Sequence, residues 1–84
     1  MESFEEKLSK LFEGGLADGK AELETLANGD VCGHVVSSEF RDLTYEQRRA
    51  RLKQITEQAL GEEELLKIST LLTYTPEEWS FEPA

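Results

Sequence analysis

The chain has 84 residues, of which 18 are acidic and nine are basic, giving a formal net charge of -9 at neutral pH. A chain of this length buries only about 60% of its unfolded surface, which excludes large catalytic architectures and deep active-site cavities. No run approaches the roughly 20 apolar residues of a membrane span, and the acidic residues 1–6 do not resemble a signal peptide. The single cysteine, Cys32, excludes an internal disulfide framework. We therefore expect residues 1–84 to form one soluble cytoplasmic domain.

The basic residues are concentrated in one short segment. Residues 41–53 have a net charge of +3, whereas the remainder of the chain carries -12. An acidic body repels phosphate backbones and membrane surfaces, but a basic helix face can still dock an anionic patch. The basic residues of this segment are Arg41, Arg48, Arg49, Arg51 and Lys53.

The first predicted element is a helix that begins after Ser3 and ends at Gly14 and Gly15. Ser3 and Glu6 have the spacing of a capping box, and the glycines are typical of a helix end. Apolar residues recur at helical spacing, at Phe4, Leu8, Leu11 and Phe12.

A hairpin of two strands is predicted next. Residues 21–27 have the composition of a helix, but an Asn-Gly turn followed by a β-branched run favours a hairpin. We predict a short strand at about residues 20–26 and a second strand at residues 31–37. Alternation places Val31, Gly33 and Val35 on one face of the second strand, and Cys32, His34 and Val36 on the other.

A second long helix is predicted to begin after Thr44 and to end at Gly61. Thr44 and Gln47 form another capping box, and an acidic helical turn at residues 62–65 follows the helix. The apolar stripe of the helix comprises Leu52, Ile55 and Ala59.

A third strand is predicted at residues 66–74, and a last helical turn follows it. Thr75 is suited to the N-cap, Pro76 to the first helical position and Glu78 to the third. The order α-β-β-α-(α)-β predicts an α+β fold in which helices pack on one face of a small three-stranded sheet.

Two segments resemble the BolA-like protein family. Residues 35–40 (VVSSEF) and 43–48 (LTYEQR) are similar to the family's VVS-x-x-F … L-S-x-x-Q-R pattern, and residues 73–79 (TYTPEEW) are similar to its closing T-x-T-P-x-x-W. Element order, spacing and length also match, so the resemblance covers nearly the whole chain. It implies a three-stranded sheet with helices on one side, similar to one class of KH domain.

The resemblance implies a non-enzymatic adaptor. BolA-like proteins pair with monothiol glutaredoxins, share a two-iron two-sulfur cluster with them and act in iron sensing or cluster delivery, and some are described as transcriptional regulators. We therefore expect an adaptor or regulator in iron–sulfur or redox homeostasis that holds no cofactor on its own. We expect it to be a monomer or a weak dimer.

The chain departs from the family at the cluster ligands. The family's histidine, six residues before the TYTP run, corresponds here to Lys67, and a protonated ammonium has no lone pair to offer a metal. The family's second ligand, a histidine or cysteine before the second strand, falls near Asp30, two residues from Cys32. We therefore expect cluster ligation to be reduced or lost.

Cys32 and His34 are the candidate metal ligands. In a strand, residues i and i+2 share a face, so the thiolate and the imidazole can reach one metal together. Two ligands make half a site, which an inter-protein cluster can complete from the partner. The interpretation we favour is that both lie on the sheet without a ligand. A Cys-His nucleophilic dyad is disfavoured because nothing in the sequence supplies a pocket or an orienting group.

The candidate partner-binding residues are Arg48, Arg49, Arg51, Lys53 and Lys67. Helical spacing stacks Arg49 on Lys53 and Arg48 on Arg51. Three interpretations are open: a solvated face balanced by acidic neighbours, a docking face for an acidic protein, and a nucleic-acid-binding face. The last makes the chain a transcriptional regulator that uses its second helix, although the charge of -12 elsewhere disfavours DNA.

Trp79, together with Phe81, has two interpretations. It is either an exposed aromatic anchor for a partner or a residue that closes the core. We favour closure of the core because a chain this short has little apolar surface to bury.

Overall fold

A computed structural model describes residues 2–80 of the chain. The elements are α1 (Phe4–Gly15), β1 (Lys20–Thr25), β2 (Val31–Val36), the 3-10 helix η1 (Ser38–Asp42), α2 (Tyr45–Ala59), α3 (Glu62–Leu65), β3 (Ile68–Tyr74) and α4 (Pro76–Ser80). The predicted element order is confirmed, and residues 20–25 form a strand rather than a helix. Phe81 lies outside the described residues.

The three strands form one mixed sheet in the order β1-β2-β3. β1 pairs with β2 antiparallel, as the Asn-Gly hairpin predicts, and β2 pairs with β3 in parallel. A parallel pair requires a crossover connection, and α2 supplies it. The α+β fold predicted from the sequence is therefore confirmed, and β1 and β3 are the two edges of the sheet.

The predicted helix caps form as expected. The backbone N–H of Glu6 donates to Ser3 Oγ at 3.1 Å, and a reciprocal capping box joins Thr44 and Gln47. Before α4, Thr75 Oγ1 accepts from the N–H of Glu78 at 3.1 Å while the Glu78 carboxylate accepts from the N–H of Thr75 at 2.8 Å. These local bonds fix where each helix begins, independently of the core.

The core lies between the helices and one face of the sheet. Val31 and Val35 are completely buried, which confirms the predicted inner face of β2. The remaining buried members come from α1, η1, α2 and the segments that follow the helices: Leu8, Phe12, Leu16, Phe40, Leu52, Ile55 and Leu60. We call the opposite side of the sheet, which carries Cys32 and His34, the outer face.

The backbone at Gly33, where β2 pairs with Leu23 of β1, has room only for glycine. Its φ of 147° lies in a region that side-chain-bearing residues rarely adopt, and a Cβ there would lie 2.1 Å from the carbonyl oxygen of Glu22. The pairing of β2 with β3 is irregular at the same point, between Val31 and Gly33. Glycine thus permits β1 to approach β2 closely, between Cys32 and His34.

β3 begins two residues later than the sequence predicts. The N–H groups of Leu66 and Lys67 turn back to the carbonyls of Glu62 and Glu64, so these two residues complete the turn of α3. Leu66 is consequently 81% exposed, and Lys67 precedes the strand.

Within residues 2–80, no helix is both long and apolar enough to cross a membrane.

Candidate functional site

The outer face of the sheet brings the two candidate metal ligands side by side. Cys32 and His34 are both half-buried, and their antiparallel partners on β1 are Glu24 and Glu22. Cross-strand neighbours on one face lie within reach of each other. Each candidate ligand therefore contacts a carboxylate of the chain itself.

The environment of Cys32 favours the protonated thiol over the thiolate. Partial burial, followed by the charge of Glu24 and a hydrogen bond of 3.7 Å from Cys32 Sγ to the Glu24 carboxylate, raises the pKa of the thiol. Since the thiolate is both the nucleophile and the metal ligand, this environment disfavours both roles in the isolated chain.

His34 lies in an aromatic cluster with Tyr74 and Trp79. Its ring centroid is 4.4 Å from that of Trp79 and 6.0 Å from that of Tyr74, and its Nε2 lies 3.2 Å from a Glu22 carboxylate oxygen. Trp79 therefore packs on the outer face of the sheet. The preferred prediction, that Trp79 closes the core, is wrong because α4 turns its aromatic side chain toward His34.

The described residues supply no complete metal site. Nowhere in residues 2–80 do three His, Cys, Asp or Glu side chains come close enough together to hold a metal ion. Lys67 is exposed at the end of α3, where its charge contributes to lowering the pKa of Glu64, behind the larger effects of Lys7 and the Gly61 N–H. Any metal bound by Cys32 and His34 would need its other ligands from a partner.

Arg48 stabilises the fold from inside the basic segment. Its side chain is only 13% exposed, and its guanidinium donates to the Glu78 carboxylate at 2.8 Å. It also donates to the carbonyl oxygens of Leu43 at 3.2 Å and Thr73 at 3.5 Å, and lies 5.8 Å from the centre of the Phe40 ring. The pKa of Glu78 is lowered mainly by this arginine. Most of the hydrogen-bonding capacity of Arg48 is therefore engaged within the fold.

Arg51 has a similar internal role. It donates to the Glu39 carboxylate at 3.1 Å and to the carbonyl oxygen of Gly15 at 3.1 Å, which joins η1 to the end of α1. The pKa of Glu39 is lowered first by the N–H of Ala17 and then by Arg51. Two of the predicted partner-binding cations thus hold elements of the fold together.

Arg49 and Lys53 lie on the exposed side of α2, beside a groove. Arg49 stacks over the Tyr45 ring at 5.9 Å, and Lys53 makes a long contact of 3.7 Å with Glu57. The groove between α2 and β3 has a volume of about 550 Å³. Its apolar lining consists mainly of Leu52, Leu65, Ile68 and Leu71. We call this feature the α2–β3 groove.

The two segments that carry the family resemblance contact each other directly. Arg48 of residues 43–48 is bonded to Glu78 and Thr73 of residues 73–79, and the N–H of Ser37 donates to the carbonyl of Tyr74 at 3.0 Å. Sequence reasoning identified both segments but missed Glu78 as the partner of Arg48. No local signal could reveal a pair 30 positions apart.

No protein-family model matches the chain, and no curated protein sequence matches it.

Proposed function

We propose that this chain is a non-enzymatic BolA-like adaptor that binds a monothiol glutaredoxin-type partner in iron–sulfur or redox homeostasis, with cluster ligation reduced or lost. The observation that carries the proposal is the contact between the two family-like segments. The Arg48 guanidinium in the first segment donates to the Glu78 carboxylate in the second, so the two segments lie together in the folded chain. The three-stranded sheet also agrees with the fold that the resemblance implies.

The exposed cations give the adaptor its docking residues. Arg49, Lys53 and Lys67 are exposed, whereas Arg48 and Arg51 keep α2 and its neighbouring elements in place. Charge complementarity between such cations and an acidic partner surface fixes orientation and speeds encounter. We assign direct contact with the partner to the exposed cations, and support of the docking surface to Arg48 and Arg51.

Reduced ligation follows from the chemistry of Lys67, at the family's histidine position, and of Cys32, the thiol two residues from the family's second ligand position. Lys67 replaces the family's histidine with a group that cannot bind a metal while protonated. Cys32 is the remaining thiol, and its raised pKa disfavours the thiolate that a cluster needs. The adaptor would therefore bind the partner without contributing a full share of ligands.

The test mixes the chain with a monothiol glutaredoxin that carries its two-iron two-sulfur cluster. We expect a complex on gel filtration whose visible circular dichroism is the same with wild type and with Cys32→Ser, because the thiol is not a ligand. A change seen with wild type and lost with Cys32→Ser would show that ligation is retained. Absence of a complex together with an unchanged spectrum would remove the proposed function.

The alternative, a nucleic-acid-binding regulator that uses α2, receives less support. Arg48 and Arg51 already bond to Glu78 and Glu39, so they have little capacity left to neutralise phosphates. A gel-shift titration at two salt concentrations separates the two functions, since phosphate contacts must weaken steeply as salt rises. Tight, salt-sensitive binding of DNA or RNA would favour the alternative.

A further inference from the structure

The free edge of β3 is the part of the sheet that the fold leaves least protected. Within residues 2–80, β3 is an edge strand: it pairs with β2 along one edge, and no strand pairs with its other edge. An unpaired edge offers a row of backbone N–H and C=O groups to any extended chain, and proteins usually guard it with charges or proline. The seven residues of β3, ISTLLTY, contain neither.

The apolar α2–β3 groove lies directly beside this edge. Leu65, Ile68 and Leu71 reach it from the side of the strand, and Leu52 reaches it from α2. A strand added to β3 would direct every second side chain toward the helices, and therefore into this groove. Backbone pairing and pockets for alternate side chains are the two components of peptide recognition by strand addition.

Arg49 gives the groove a guanidinium that forms no ion pair with any carboxylate of residues 2–80. The other three arginines are paired, Arg41 with Glu77, Arg48 with Glu78 and Arg51 with Glu39. Among the described residues, the guanidinium of Arg49 contacts the Tyr45 ring and pairs with no carboxylate, in a chain with 18 acidic residues. Lys53, one helical turn away, is 76% exposed. A carboxylate on the occupant would complement this end of the groove.

We propose that the free edge of β3 and the α2–β3 groove bind an extended segment of a partner protein. The segment adds a fourth strand to the sheet, places alternate apolar side chains in the groove and sets a carboxylate against Arg49. The span of β3 corresponds to a segment of about seven residues, roughly 23 Å long. The inference does not depend on a glutaredoxin partner, because it rests on the edge and the groove alone.

A second copy of the chain fits this edge poorly. Two copies each carrying a charge of -9 repel each other.

Nucleic acid also fits it poorly. Glu46 and Glu57 line the groove, and the acidic run of α3, Glu62–Leu65, follows the C-terminal end of α2. Phosphates would meet these carboxylates as well as the two cations, whereas a peptide with a single well-placed carboxylate need not.

The test selects ligands from a displayed library of random heptapeptides on the immobilised full chain and titrates the enriched peptides into the isotope-labelled protein. We expect enriched sequences that alternate apolar residues and carry Asp or Glu, and NMR shift changes centred on the amides of Ile68–Tyr74. Failure to enrich any peptide, or shift changes centred on the outer face, would overturn the proposal. So would a concentration-dependent self-association that shifts the same amides without peptide.

Two matched pairs of variants test the contacts. Arg49→Glu should lower the affinity for the selected peptides about tenfold. Lys20→Glu makes the same charge change on the opposite edge of the sheet and should leave the affinity within about twofold of wild type. Ser69→Glu, which places a carboxylate in the groove, should weaken binding more than the uncharged Ser69→Gln. NMR spectra of the free variants verify the fold, and equal effects within either pair would contradict the assignment.

Discussion

Arg48 and Arg49 are adjacent in sequence, yet their guanidinium groups have different environments. The Arg48 side chain is 13% exposed and bonds to Glu78, whereas Arg49 is exposed and pairs with no carboxylate among the described residues. Arg51 and Lys53 differ in exposure: Arg51 is about one-third exposed and bonds to Glu39 at 3.1 Å, whereas Lys53 is 76% exposed and makes only a long contact of 3.7 Å with Glu57. Because successive helix residues point about 100° apart, one basic segment supplies both supports for the fold and exposed charges for docking.

Truncation of Arg48 should cause the largest loss of stability among these cations. Arg48→Ala should reduce the free energy of unfolding by about 2 kcal/mol, since it removes three hydrogen-bonded partners and leaves carbonyl groups unpaired. Urea denaturation followed by circular dichroism measures the loss. Arg48→Lys is the control that keeps the charge and should recover only part of it, and a loss below about 0.5 kcal/mol would show that Arg48 is not a support.

Truncation of Arg51 should have a smaller effect of the same kind. Arg51→Ala should cost about 1 kcal/mol, because the Arg51 and Glu39 side chains are each about one-third exposed and solvent screens the pair. The same denaturation experiment measures it, with Lys53→Ala as the control on the neighbouring face. If Arg51→Ala and Lys53→Ala lowered the free energy of unfolding equally, Arg51 would not be a support of the fold.

Acid should weaken the supporting contacts selectively. The pKa values of Glu39 and Glu78 are lowered in the folded chain, so their contribution is present above the ordinary glutamate value of 4.5 and is lost as pH falls below it. Stability should therefore fall from about pH 4.5 downward, and fall less steeply in Arg48→Ala, where Glu78 has lost its partner. Urea midpoints measured at dilute protein between pH 6 and pH 3 test this, and parallel curves would contradict it.

The smallest effect on stability is expected at Arg49. Arg49→Ala removes an exposed stacking contact with Tyr45 and should change the free energy of unfolding by about 0.5 kcal/mol or less. Both the free energy of unfolding and the affinity for the selected peptides should be measured for Arg49→Ala, since only the affinity should fall. A large loss of stability would place Arg49 among the supports and weaken the proposed docking surface.

Much of the fold followed from local patterns. The capping pairs of Ser3 and Thr44, the Asn-Gly turn and the alternation of β2 act over a few residues, so the sequence predicts them directly. The sequence predicts the start of β3 two residues too early because no glycine, proline or other turn residue separates Leu66 and Lys67 from Ile68. Their backbone N–H groups are held by the turn of α3, and such competition between neighbouring elements is not visible in composition.

The sequence by itself determined the α+β element order, the helix starts, the pairing of Cys32 and His34 on one face and the concentration of positive charge on α2. Only the tertiary structure decided which cations are exposed, that Trp79 packs on the outer face, and that an uncharged edge strand lies beside an apolar groove. The physical reason is distance along the chain: caps, turns and alternation join near neighbours, whereas the bond from Arg48 to Glu78 and the α2–β3 groove form only when remote segments pack together.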